Sequence, residues 1–171
     1  DSDGNLWIGS LFGITKYDGF DFYTYTIPAY TAATTMLVLA PDDIYMAWYE
    51  NSFQGEIFHF DGTSIDTING FAPAGIYKLY NDSQQRFWAC YNGGIALKDG
   101  NSWILYDSTN SAIPNTQTRS LTEWNGMLLL GTDSGTYTFN GTTWVAGEIA
   151  ADNISYLLPV NNTLYIGTST D

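Results

Sequence analysis

Cations are scarce in this chain. Lys16, Lys78, Arg86, Lys98 and Arg119 are the five, set against 18 acidic residues, for a formal charge of −13 over 171 residues. Such a field repels phosphate backbones and offers no basic patch, which argues against nucleic acid as a partner. Cys90 is the single cysteine, so no internal disulfide can form. Its neighbours Trp88, Ala89 and Tyr91 mark it as a small buried hydrophobe rather than a reactive thiol. His59 is the single histidine. One His and one Cys cannot assemble a zinc site of the His/Cys type, and no nucleophile–base pair is legible. No run of 18 apolar residues occurs, so no direct membrane insertion by a helix is expected. Helical periodicity is missing as well.

Aromatic residues are abundant, with 13 Tyr, 9 Phe and 6 Trp, and charged residues make up only 13%. That balance favours strands and a packed core, and it is far from the composition of a disordered chain.

Self-similarity is the strongest signal. Leu6-Trp7-Ile8-Gly9-Ser10 returns as Ile44-Tyr45-Met46-Ala47-Trp48, Phe87-Trp88-Ala89-Cys90-Tyr91, Leu128-Leu129-Leu130-Gly131-Thr132 and Leu164-Tyr165-Ile166-Gly167-Thr168. With Trp7, Tyr45, Trp88, Leu129 and Tyr165 equivalent, the spacings are 38, 43, 41 and 36. A second motif keeps phase with the first: Tyr17-Asp18-Gly19 recurs as Phe60-Asp61-Gly62, Lys98-Asp99-Gly100 and Phe139-Asn140-Gly141. Three residues beyond each of these glycines stands an apolar residue, namely Phe22, Ile65, Trp103 and Trp144. Short period-2 runs joined by Asp-Gly or Asn-Gly read as hairpins. Another short run precedes each tryptophan-type strand, as in Met36–Leu39, Ile76–Leu79, Arg119–Leu121 and Ile154–Leu157.

Each repeat of about 40 residues thus predicts four short strands, lettered A to D, and no helix. An all-β chain of radially arranged four-stranded antiparallel blades, a β-propeller, is the economical solution. A β-sandwich is the fallback, but it leaves the phase of the motifs unexplained. The whole of 1–171 reads as one propeller region, with units at about 1–40, 41–80, 81–123 and 124–159 and a partial unit at 160–171.

The pattern D-x-D-G-N-L-W-I-G, then G-I-T-K-Y-D-G, then F-x-x-Y-T in residues 1–26 resembles the two-component regulator propeller repeat. Residues 87–106 match it well, 128–144 moderately, and 44–65 mainly by phase. The resemblance implies an exported bacterial protein, periplasmic or at the cell surface, and one known setting of such repeats is the sensor region of hybrid histidine kinases. The matching residues are structural, so they speak to fold more than to function. Because the pattern starts and stops at a B-type strand, about four blades plus a partial one are expected. These would form an arc of a larger propeller, completed by further blades or by a second chain.

Asp1-Ser2-Asp3-Gly4-Asn5 looks like half a calcium loop, but position 12 of such a loop needs a bidentate Glu and is Phe12 here. The equivalents of Asp3-Gly4-Asn5 include Gln84-Gln85-Arg86 and Asn161-Asn162-Thr163, which share turn tendency rather than ligand chemistry. The stretch therefore reads as an A–B turn, with its carboxylates dispensable and neither metal nor cofactor expected. Recurring Trp7, Trp88, Trp103 and Trp144 are expected in the core.

Aromatics off the repeat pattern, Phe12, Tyr30, Tyr49, Phe53 and Tyr91, fall in or beside the B–C and D–A loops, which share one rim of a propeller. Together with Glu50 they are the candidate binding rim, with Tyr49 to Gly55 the longest B–C connection. Lys78 and Arg119 fall on strand A and are candidates for a cation-lined channel. The expected function is a non-enzymatic binding or assembly module contacting a protein or glycan. The alternatives are a ligand-sensing ectodomain of a two-component system and a propeller-type glycan lyase or hydrolase.

Overall fold

The computed structural model describes residues 1–10, 13–26, 33–48, 55–68, 70–71, 73, 75–151 and 153–169. The chain is all-β, with no helix among the described residues. Strands β1 (Leu6–Ser10), β2 (Gly13–Tyr17) and β3 (Phe22–Thr26) form a three-stranded sheet. Four-stranded sheets follow: β4 (Ala33–Ala40) to β7 (Ile65–Ile68), with β5 (Asp43–Trp48) and β6 (Ile57–Phe60) between them. The next is β8 (Ile76–Asn81), β9 (Phe87–Tyr91), β10 (Gly94–Asp99) and β11 (Ser102–Asp107). Then come β12 (Thr118–Trp124), β13 (Met127–Thr132), β14 (Gly135–Phe139) and β15 (Trp144–Ala146), and finally the pair β16 (Ile154–Val160) and β17 (Thr163–Thr168). Every sheet is a meander of sequential strands: the three four-stranded sheets are β-propeller blades in A-B-C-D order, while β1 to β3 correspond to strands B to D and β16 and β17 to strands A and B.

Contacts divide the chain into two units, Asp1–Leu79 and Tyr80–Asp171. In the first, Trp7 and Ile14 pack with Ile44, Met46, Phe58 and Phe60. Trp7 and Phe60 have ring centroids 5.6 Å apart, and Tyr25 closes on Phe60 at 4.4 Å. In the second, Trp88, Cys90 and Ile95 pack with Leu121, Leu128, Leu130, Phe139 and Trp144. Leu129 continues this stacking onto Ile154 and Leu157. Alternate residues of each strand point to opposite faces, which is why Trp7 faces the next sheet while its neighbours Leu6 and Ile8 face the other way. Of the four tryptophans expected inside, Trp7, Trp88 and Trp144 are buried, whereas Trp103 is half-buried.

The C–D connections differ from the simple two-residue hairpins the sequence suggests. Only Gly100-Asn101, between β10 and β11, is such a turn. Elsewhere the Asp or Asn side chain builds a wider loop. Asp18 Oδ1 accepts from the backbone of Phe20 and Asp21, Asp61 Oδ1 from Thr63 and Ser64, and Asn140 Oδ1 from Thr142 and Thr143. The N–H groups of Asp21 and Phe20 hold the Asp18 carboxyl below its usual range, and those of Ser64 and Thr63 do the same for Asp61.

Gly94, at the head of β10, has no room for a side chain. A methyl group there would overlap the Tyr106 carbonyl oxygen and meet the Tyr91 hydroxyl at 2.6 Å. Gly94→Ala is therefore expected to cost about 1–3 kcal/mol of stability, measured by chemical denaturation, because the backbone clash cannot be relieved by a rotamer change. A neutral result would mean that β10 and β11 separate easily.

Candidate binding face

Five of the six rim candidates, Phe12, Tyr30, Tyr49, Glu50 and Phe53, lie outside the described residues. The sixth, Tyr91, corrects the expectation of an exposed ring: it is buried, and burial pushes its phenol up to about 12. Tyr91 occupies the last position of β9, equivalent to Ser10 and Thr132. Those two hydroxyls close their B–C corners by donating to the Gly13 and Gly135 carbonyls. In the third sheet the phenol lies over Gly94 instead, and Thr118 Oγ1 donates to the carbonyls of Tyr91 (2.9 Å) and Gly94 (2.6 Å). Tyr91 is a corner residue, not a contact residue.

Around that corner the second unit gathers a polar cluster. Arg119 leaves β12 and sets Nε 3.2 Å from Asp133 Oδ1, and its Nη2 donates to Gln117 Oε1. Thr116 Oγ1 donates to Asp133 Oδ2 at 3.3 Å. Backbone bonds lock the loops beneath: Gly93 N to Thr116 O, Asp133 N to Gln117 O, and Asn153 N to Asp133 O. Arg119 and Asp133 are about one-third and one-quarter exposed at the side chain. An ion pair in such a position contributes little to stability, on the order of 0–1 kcal/mol, so its effect is to fix the direction of donors and acceptors. The pairing also cancels the charge that would make Arg119 an anion receptor. Lys78, in the first unit, is half-buried on β8.

His59 lies on β6, with Nε2 2.7 Å from Asp43 Oδ1 and its ring stacked on Tyr45 at 4.4 Å. Glu56 is exposed just before β6. Among the described residues no group of His, Cys, Asp and Glu has the geometry to hold a metal ion.

The other end of the second unit carries a feature the sequence reading missed. Asp82 accepts hydrogen bonds from Gln84 N (3.0 Å), Arg86 N (2.9 Å), Arg86 Nε (2.6 Å) and the Trp88 indole (2.8 Å). Asp1 does the same with Asp3 N, Asn5 N, Asn5 Nδ2 and the Trp7 indole at 2.7 Å. The first carboxylate of DSDGN is thus a clamp on the buried tryptophan, which corrects the view that it is dispensable. The signal was an Asp six residues before the central strand-B position in the two repeats where that position is Trp, Trp7 and Trp88. Where the Trp position holds Tyr45, Leu129 or Tyr165, the Asp position holds Leu39, Glu123 or Pro159. Beside this clamp lies a cleft of about 490 Å³ lined by Ser83, Arg86, Glu123, Asn125, Met127 and Phe139 among others. Glu123 accepts from Ser83 N and Oγ, the latter at 2.6 Å, and the Arg86 guanidinium lies 5.4 Å from the Trp88 ring centroid and 5.3 Å from that of Phe139.

Burial alone would raise the Asp82 pKa, but the Trp88 indole and the Arg86 backbone and guanidinium outweigh it and hold the group below its ordinary value. A carboxyl depressed in the folded state adds stability above its unfolded pKa of about 3.9 and loses it as pH falls through the folded value. Between neutral and strongly acidic pH, unfolding midpoints should therefore drop more steeply for the wild type than for Asp82→Asn. Parallel curves would remove Asp82 as a source of the acid sensitivity. The comparison isolates Asp82 from relief of general charge repulsion, which both proteins share.

A scan against protein-family models and a search of curated proteins find no match. Solved structures do share the architecture. The structure of YCF48 bound to a D1 peptide is similar over 96% of this chain and 57% of that one, with a TM-score of 0.68 and 14% identity. The extracellular domain of the putative hybrid two-component system BT3049 from B. thetaiotaomicron is similar over 98% of this chain and 31% of that one, with a TM-score of 0.60 and 15% identity. A mutant of AofleA from Arthrobotrys oligospora gives a TM-score of 0.50 at 11% identity, over 94% of this chain and 64% of that one. The chain spans little over half the length of the first of these and under a third of the second. It carries the β-propeller fold found in such proteins, among them an ectodomain of the two-component class that its repeat resembles.

Proposed function

We propose that the chain is a non-enzymatic binding module of an exported bacterial protein, engaging a protein partner through the loop face of its second unit. The observation that carries this reading is the cluster of Arg119, Gln117, Asp133 and Thr116. A guanidinium at the start of β12 is held beside an amide and a carboxylate on loops pinned by backbone bonds, an arrangement that suits the alternating donors and acceptors of a peptide backbone. The peptide-bound state of YCF48 supports the choice of a protein segment over a glycan.

Pull-down and peptide-array binding with the intact protein, run beside a glycan array, tests it. Replacing Arg119 and Asp133 together with alanine should weaken the captured interaction about tenfold or more. Binding that survives the double replacement, or a glycan array that lights up while peptides do not, overturns the reading. Turnover of a polysaccharide panel, lost on rim mutation, would overturn its non-enzymatic part. The similarity to the BT3049 ectodomain favours a second reading in which the same face senses a ligand for a kinase. Ligand-dependent phosphorylation in the parent protein would establish that role.

A further inference from the structure

Two opposite charges of the second unit share one cleft without pairing with each other. Arg86, just before β9, and Glu123, near the end of β12, both line the cleft of about 490 Å³ beside the Asp82 clamp. Its walls belong to two complete four-stranded sheets, β8 to β11 and β12 to β15. Those sheets pack on each other through Trp88, Leu128, Phe139 and Trp144. Each charge is anchored by one of two adjacent residues. Asp82 Oδ2 accepts from Arg86 Nε at 2.6 Å, and Ser83 donates to Glu123 from its backbone N–H and, at 2.6 Å, from Oγ. Neighbouring Cα atoms stand about 3.8 Å apart, so the turn gathers guanidinium and carboxylate within the span of a small ligand.

Neither group is used up by its anchor. The Asp82 side chain has no exposed surface and that of Arg86 is 27% exposed, so the carboxylate lies behind the guanidinium. Asp82 also divides its charge among the Trp88 indole and two backbone N–H groups. Asp133, by contrast, comes to the surface beside Arg119 and cancels it there. The Arg86 anchor uses Nε, and among the described residues neither Nη has a hydrogen-bond partner. Glu123 takes neutral donors from Ser83, and among the described residues it belongs to none of the ion pairs. Burial, and after it the Glu123 charge, hold the Tyr80 phenol above its ordinary value.

A cleft of this kind selects by charge. A lone anion is opposed by Glu123 and by the −13 of the whole chain, and a lone cation is opposed by Arg86. We infer that the cleft binds a small amino-acid zwitterion, its carboxylate on the Arg86 Nη fork and its ammonium on Glu123. The two Nη groups offer the parallel donors that suit a carboxylate, and Glu123 keeps acceptor lone pairs that Ser83 does not use. Exposed Gln84 and Asn125 add neutral amides at the edge. The site lies at the other end of the unit from the Arg119 cluster and does not rest on the function proposed for that face.

Isothermal titration of the intact protein with glycine, serine, glutamine, β-alanine and 4-aminobutyrate tests the inference. At least one of these should bind at millimolar concentration or below. The tightest is then compared with its N-acetyl and methyl-ester forms, which lack the ammonium and the carboxylate charge respectively. Each should bind about tenfold or more weakly. Glu123→Gln keeps an acceptor for Ser83 and removes only the charge, so it should lose a similar factor with circular dichroism unchanged. Absence of binding by all five, a derivative that binds as tightly as its parent, or a folded Glu123→Gln that binds like the wild type overturns the proposal. The comparison of derivatives uses the wild-type protein and so decides the matter even if Glu123→Gln does not fold.

Discussion

Asp82→Ala is expected to lower the unfolding free energy of the second unit by about 3–5 kcal/mol, read from chemical denaturation. The carboxylate side chain has no exposed surface, and its four donors all come from the turn and strand that follow it. Alanine would leave the buried Trp88 indole N–H without an acceptor and the Arg86 guanidinium above two aromatic rings without its counter-ion. A double-mutant cycle with Trp88→Phe separates the indole bond from the rest, since phenylalanine keeps most of the ring but lacks the donor. A coupling of about 1–2 kcal/mol is expected, and strictly additive costs would show that the clamp does not act through the indole. Asp1→Ala should cost less, about 1 kcal/mol, because Asp1 is only half-buried whereas the Asp82 side chain has no exposed surface.

Trp88→Ala should be as damaging, at about 3–5 kcal/mol. Trp88 is fully buried and meets Phe139 and Trp144 edge-on, with centroids 5.2 and 5.6 Å away and interplanar angles of 72° and 82°. Perpendicular rings of this kind gain from their quadrupoles as well as from area. They are also held by two different strands, β14 and β15, so none can collapse into the space left behind. The half-buried Trp103 is the control: Trp103→Ala should cost clearly less at an unchanged denaturant slope. Equal costs would place the centre of the second core elsewhere.

Periodicity made the fold legible because every strand B repeats an apolar run, with an aromatic at its centre in four of the five copies, that must face two neighbouring sheets at once. A pair such as Ile44 and Tyr45, or Leu128 and Leu129, declares both faces in two letters. The clamp escaped notice because the comparison of turns centred on Asp3-Gly4-Asn5, the solvent-facing tip, where any turn former serves. The chemistry lies two residues earlier, and it is needed only where the strand brings an indole N–H that must be satisfied in the core. Tyr91 misled for a related reason. It breaks the small-residue pattern of Ser10 and Thr132, which resembles recruitment to a rim, yet the pocket above Gly94 takes its ring inward. The Arg119 and Asp133 pair was half legible, since a cation on strand A stands out in so acidic a chain. Its partner on the β13–β14 loop has no spacing signature of its own, because the two meet through the pairing of β12 with β13, where Thr118 stands opposite Thr132.

The lone thiol of Cys90 lies wholly inside the second core, on the strand that also carries Trp88. A thiol reagent can reach it only when β9 parts from its neighbours, so the native protein carries a single covalent clock for that event. Under conditions where reclosing outruns the reagent, its labelling rate in denaturant-free buffer reports the opening free energy of this blade, and no label has to be engineered into the chain.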